Sequence, residues 1–173
     1  WSNYETLQRL NANALVQFQL ETEKQASAIS YYFSERRDDI AELAESEVVV
    51  NFFKNLDLGM SYKYGLGLNV QLIEDRFEHI SERKKIGDQA VYSGFLLIDG
   101  EGMPVASWSK PEMSRIILEW LDPENRETRT RLGTQQGELM VSSPVWINNI
   151  YRGELLAWIN ANTSLAQFGT SRL

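Results

Sequence analysis

The sequence is poor in groups that could run a covalent reaction. His79 is its single imidazole and sits beside Glu78 on a stretch of helical period, where a solvent-facing side chain is the simpler reading. Cysteine is absent, which removes thiol nucleophiles, disulfides and thiolate zinc centres together. Acid pairs occur at Asp38-Asp39 and Glu74-Asp75, but both fall in predicted helices, where adjacent side chains point about 100° apart. Such neighbours face solvent rather than a shared substrate. Gly65 and Gly67 lack the third glycine, the lysine and the preceding strand of a phosphate-binding loop. The expectation is a non-enzyme with no catalytic residues, no cofactor and no metal.

Binding chemistry is better represented. Tyr64, Tyr92, Trp108, Trp120 and Trp146 lie in or beside segments that would cover one face of a sheet. Rings with a polar tip suit a small-ligand pocket, because each gives contact area and a hydrogen bond. Arg76 and Arg115 could supply a positive charge to an organic acid, and these seven residues are the candidate ligand-binding set. The competing reading makes Trp120 and Trp146 core, the tyrosines rim, and the arginines surface side chains with packed stems. Asn162-Thr163-Ser164 reads as a helix cap rather than a glycan acceptor.

Elements must position these residues, and the composition admits a folded domain. The chain has 173 residues, 43% hydrophobic and 24% charged, which excludes disorder and collagen-like structure. Seventeen basic against 24 acidic residues give a net charge of -7, and no basic block reverses it locally, so nucleic acid is not an expected partner. No apolar run approaches the roughly 20 residues that span a bilayer. The chain opens at Trp1 without a signal-type segment and reads as a piece of something longer.

From Tyr4 to Ala44 there is neither Pro nor Gly, and Leu15, Phe18, Thr22, Ala26, Ile29, Phe33, Ile40 and Leu43 form a helical seam. A rod on the order of 60 Å follows, and its polar early half suits pairing with another helix or a second copy, the competing reading being a helix packed along its own domain. Asn51 to Gly67 reads as a break, followed by a helix carried by Leu68, Leu72, Ile73, Phe77 and Ile80 and ending near Lys85. From Val91 the period becomes that of strands. Phe95–Ile98 and Leu155–Ile159 are apolar on both faces and therefore central; Asp99-Gly100-Glu101-Gly102 and Asn148-Asn149 are hairpin turns. Pro104–Ser109 and 127–132 are edge-like, 138–147 is a fourth strand segment, and 110–125 is a crossover with a short helix through Met113, Ile116, Ile117, Trp120 and Leu121. Pairing the two central strands gives an α+β fold: a long N-terminal helix (1–45), then a PAS-like five-stranded antiparallel sheet of order 2-1-5-4-3 within one domain (46–168), and a tail (169–173).

The same residues resemble a known family. Phe52-Phe53, Leu58-Gly59-Met60-Ser61, Tyr64-Gly65-Leu66, Ile73-Glu74-Asp75-Arg76-Phe77 and Leu97-Ile98-Asp99-Gly100-Glu101-Gly102 look like the extracytoplasmic Cache (PDC) sensor domains of bacterial transmembrane receptors. Ser143-Pro144 and Gly153-Glu154-Leu155-Leu156-Ala157 resemble that family's last hairpin. The resemblance implies a periplasmic small-molecule sensor held between membrane helices outside this chain, with a histidine kinase, chemotaxis transducer or cyclic-di-GMP enzyme as output. The long N-terminal helix, with its seam, makes a homodimer through that helix the expected assembly. Members that bind amino acids carry an Arg-x-Trp-Tyr run, which this sequence lacks. The alternative is a ligandless dimerisation module of a receptor.

Overall fold

The computed structural model describes residues 2–109, 118–132 and 139–169. Contacts divide the chain into two units, residues 1–34 and 35–173. The first unit is the greater part of helix α1 (Ser2–Ala44), whose residues 2–27 are exposed throughout. Leu15 and Phe18 of the expected seam are 64% and 68% exposed, so the monomer leaves this part of the seam bare. The division between the units falls inside α1, between Ser34 and Glu35. Ile40, Leu43 and Ala44 are buried, which makes the last turns of the helix part of the second unit's core.

The second unit continues with α2 (Glu47–Asp57), a kinked turn at Tyr62–Leu66, and α3 (Gly67–Arg83). The expected break from Asn51 is therefore corrected: residues 51–57 are helical. Val49, Phe52 and Phe53 are all buried, and their three-and-four spacing turns one face of α2 inward despite Asn51, Asn55 and Asp57. A two-residue hairpin, β1 (Lys85–Ile86) and β2 (Gln89–Ala90), follows α3. The main sheet comprises β3 (Tyr92–Asp99), β4 (Pro104–Trp108), β5 (Arg129–Leu132), β6 (Leu139–Ile147) and β7 (Ile150–Ile159). Every pairing is antiparallel and the order is β4-β3-β7-β6-β5. Counted among these five strands it is 2-1-5-4-3, the order expected from the two doubly apolar strands. Asn148 and Asn149 take φ of 52° and 61° in the β6–β7 turn, where a short polar side chain tolerates the left-handed region. The closing helix α4 (Ala161–Ala166) is capped by Asn160, whose side chain accepts from the Thr163 N–H, and not by Asn162. The expected crossover helix through Met113, Ile116 and Ile117 lies outside the described residues. Trp120 and Leu121 themselves lie in or next to a turn rather than a helix. No helix among the described residues is long and apolar enough to cross a membrane.

Both faces of the sheet are covered. On the helix side, Phe77 of α3 stacks on Phe95 of β3 at 5.0 Å, and Tyr92 lies 5.1 Å from Phe95. The Tyr92 hydroxyl donates to Asp39 of α1 at 3.0 Å, and Asp39 also receives Arg36 at 3.1 Å and Lys84 at 3.6 Å. Arg37, one position earlier than this acidic hub's own neighbour Asp38, donates to Thr130 of β5 at 3.1 Å. The second face, here the front, is closed by Leu96, Ile98, Met140, Leu156 and Trp158 packed against Trp120.

At Gly153 the two central strands approach so closely that an added Cβ would strike the Ile98 carbonyl oxygen, and φ there is +156°. Gly153→Ala should therefore destabilise the fold by at least about 2 kcal/mol, by strain plus overpacking. Gly87→Ala, at φ +61° with nothing within 4 Å, should cost only about 1 kcal/mol. Urea unfolding of both variants checks this; equal costs would contradict the close approach.

Candidate functional site

Register builds a polar cluster on the front face. Side chains of paired residues share a face, and alternate residues along a strand return to it. Leu156 and Trp158 point forward with Trp120, so Glu154 points forward too. Across β6, Ser142 pairs with Leu156 and Met140 with Trp158, and across β5, Arg129 pairs with Ser142 and Arg131 with Met140. Two arginines, a serine and a glutamate therefore stand beside the apolar cluster, under the segment 118–128.

That segment is held down by side chains. Trp120 packs edge-on against Trp158 at 5.5 Å. The Trp146 indole donates to the Asn125 carbonyl at 3.1 Å, and the Arg126 guanidinium lies 4.0 Å over the Trp146 ring. Asp122 accepts from Arg129 Nη2 at 2.9 Å, while the Asp122 backbone N–H donates to the Tyr151 hydroxyl at 3.2 Å. Tyr151 in turn donates to Glu154 Oε1 at 2.9 Å, and Arg131 Nη1 reaches the Trp120 carbonyl at 3.4 Å.

Five buried atoms of this cluster have no hydrogen-bond partner among the described residues: Arg129 Nε, Arg131 Nε, Arg131 Nη2, Ser142 Oγ and Glu154 Oε2. Glu154 has no exposed surface and Ser142 only 1%. Buried polar atoms are nearly always paired in folded proteins, so five together on one face mark a place built for something else to meet them. The electrostatics agree. Burial pushes the Glu154 carboxyl up to about 7, against the opposing pull of the Tyr151 hydrogen bond and of Arg131 and Arg129. Burial, then Glu154 beside it, raises the Tyr151 phenol. Burial and the neighbouring Arg129 lower the Arg131 guanidinium from its usual value.

The structure brings two of the expected site residues to this face, Trp120 in the segment that covers it and Trp146 on β6, bonded to that segment. The remaining described candidates lie elsewhere. Tyr92 is fully buried in the helix-side core. Trp108 is half-buried on β4, 6.2 Å from Phe95 on the helix side. Tyr64 is 73% exposed in the kink before α3, with the Lys63 ammonium over its ring. Arg76 is exposed on α3 and lines a solvent-open groove of about 680 Å³ between α1 and α3, with Asp39, Glu42, His79 and Arg83. That groove is on the helix side, and its charged walls mix both signs. Arg115 lies outside the described residues. Arg129, Arg131, Ser142, Tyr151 and Glu154 were not singled out from sequence, although an acid inside the apolar run Gly153–Ile159 was the available signal.

No model of a known protein family matches the chain, and no curated protein matches it. Solved structures do. A domain of a protein assigned to the sensory box/GGDEF family from Vibrio parahaemolyticus matches with TM-score 0.55 and 14% identity, covering 87% of this chain and 63% of that one. The sensor domain of the V. cholerae histidine kinase DctB matches with TM-score 0.51 and 13% identity, covering 88% and 59%. The extracellular domain of a histidine kinase described as vpHK1S-Z8 matches with TM-score 0.55 and 14% identity, covering 87% and 62%. The chain thus spans about three fifths of the length of each.

The raised Glu154 makes a measurable prediction. The folded protein keeps a proton that the unfolded chain releases near the ordinary value of 4.5. Glu154's own contribution to stability should be fully present below about pH 4.5, fall as pH rises toward 7, and level off above it, by roughly 3 kcal/mol in all. Glu154→Gln should remove that decline, and urea unfolding from about pH 4.5 to about pH 8 reads it; an equal slope in the variant would reassign the proton. By architecture and strand order, the chain shares the PAS-like α+β fold of these sensor domains.

Proposed function

We propose that the chain is the extracytoplasmic sensor domain of a transmembrane signalling receptor, such as a histidine kinase, and that a small molecule binds at the polar cluster on the front of its sheet. The observation that carries the reading is the set of five buried, unpartnered polar atoms on Arg129, Arg131, Ser142 and Glu154. The fold it shares with sensor domains of histidine kinases supports the receptor assignment. Membrane helices on either side, beyond this chain, would anchor it on the periplasmic side, and the domain itself would be non-catalytic. A ligand there acts only through its difference in affinity between the receptor's states.

The α1 seam supports a homodimer as a companion to this reading. Leu7, Leu10, Leu15 and Phe18 are each more than half exposed. A helix with bare apolar residues at such spacing is stabilised by a second helix. If dimerisation were the sole role, the front-face cluster would be inert scaffold.

Two measurements separate the readings. A thermal-shift screen of small metabolites should find at least one that raises Tm by about 5 °C at a hundredfold excess over its Kd; silence across broad panels favours the ligandless module. In sedimentation equilibrium, Leu15→Glu with Phe18→Glu should convert a dimer to monomer with no loss of sheet circular dichroism. A dimer that survives both changes removes α1 as the interface.

A further inference from the structure

The unpartnered atoms of the front-face cluster differ in kind, and their kinds narrow what they can hold. Nitrogen donors predominate: Arg129 Nε, Arg131 Nε and Arg131 Nη2. In a planar guanidinium the Nε–H and one Nη2–H leave the same edge in parallel, the fork that fits a carboxylate. Arg131 spends its other nitrogen, Nη1, on the Trp120 carbonyl and so holds this edge in a fixed plane. Arg129 is similarly committed through Nη2 to Asp122, and keeps Nε. Ser142 Oγ can donate as well. Glu154 Oε2 is the one atom that, in the ionised carboxyl, can only accept, since Oε1 already receives the Tyr151 hydroxyl.

A metal cation is excluded by two guanidinium groups at its door. An ammonium group would bring three donors to a cluster already rich in them. What the cluster lacks is acceptors, and a carboxylate brings acceptors and no donors. Charge points the same way, because Arg129 and Asp122 cancel each other and Arg131 is left facing Glu154.

We propose that the molecule sensed is a small organic acid whose carboxylate lies along the Nε/Nη2 edge of Arg131, with Arg129 Nε and Ser142 Oγ completing the anion cradle. This assignment of ligand class rests on the sensor reading above. Glu154 then regulates the same site. The groups facing it are Tyr151 on its own strand, Asp122 from the covering segment, and Arg129 and Arg131 from β5, whereas β6 and β3 present only Ser142, Pro144, Met140 and Ile98. As the neutral acid, Glu154 has its Oε2 available to carry the proton and donate to the bound anion. Once ionised, it repels that anion across the cluster. Binding is therefore strongest in mild acid and weakens as pH rises through about 7.

Isothermal calorimetry on the 173-residue chain tests this with acetate, lactate, succinate and citrate, the neutral amides of the first three, L-alanine and inorganic phosphate as probes. At least one carboxylate should bind, its amide should not, and its affinity should fall with rising pH. Arg131→Gln should weaken that binding roughly tenfold to a hundredfold, and Arg131→Lys should restore little of it, since an ammonium lacks the fork. Ser142→Ala should weaken it several-fold, which keeps the test open should Arg131→Gln unfold. Glu154→Gln should bind with the pH dependence gone. An acid that binds no better than its amide, or equally well to the Arg131 and Ser142 variants, overturns the proposal. Preference for L-alanine or phosphate also overturns it, while leaving the sensor reading intact. Silence of these probes and of the broad metabolite screen alike removes both.

Discussion

Two adjacent strands buried on both faces set the terms for this molecule. β3 and β7 pair over most of their length, from Tyr92↔Ile159 to Asp99↔Gly153, and carry apolar side chains forward and back. A sheet with such a centre cannot leave either side to water. One side is met by α2, α3 and the last turns of α1, with Phe77 stacked on Phe95. The other has no helix among the described residues against it and is met by a loop segment whose Trp120 supplies the apolar cover. The need to close that second side places polar strand residues under a roof.

That roof turns ordinary edge chemistry into the proposed site. Arg129 and Arg131 belong to the edge strand β5, where charged side chains would ordinarily reach solvent and discourage further strand pairing. Here segment 118–128 takes Nη2 of one to Asp122 and Nη1 of the other to the Trp120 carbonyl. The remaining donors of these pinned groups, Arg129 Nε, Arg131 Nε and Arg131 Nη2, are left buried with no partner among the described residues. Glu154 is pushed up by its burial, which the Tyr151 hydroxyl only partly relieves. An acidic chain with net charge -7 has nevertheless built a locally electropositive spot, by arranging two cations around one carboxyl that resists ionising.

The architecture was legible because it is written in local patterns. Phe95–Ile98 and Leu155–Ile159 announce two central strands, Asn148-Asn149 announces the turn before the second, and pairing them fixes the order of the sheet. α2 was not legible, since Asn51, Asn55 and Asp57 look like loop chemistry while Val49, Phe52 and Phe53 quietly keep a helical period. The site was hardly legible at all. Searching for aromatic rings finds the groups a fold needs most as filling, and Tyr92 is used in that way on the wrong side of the sheet. The polar set comes from β5, β6, β7 and a loop, four segments that only strand register brings together. Glu154 was the single residue whose type conflicted with its neighbours, and local conflicts of that sort concentrate where structure has been spent on function.

The contact between Arg37 and Thr130 acquires a meaning from this arrangement. Thr130 sits between Arg129 and Arg131 on a four-residue strand, facing backward where they face forward. A strand of four residues has few bonds of its own, so a side-chain tie at its middle holds the positions on either side as well. The bond from Arg37 thus fastens the middle of the edge strand to the last turns of α1, inside the second unit, so that β5 is held from behind by a helix as well as from the side by β6.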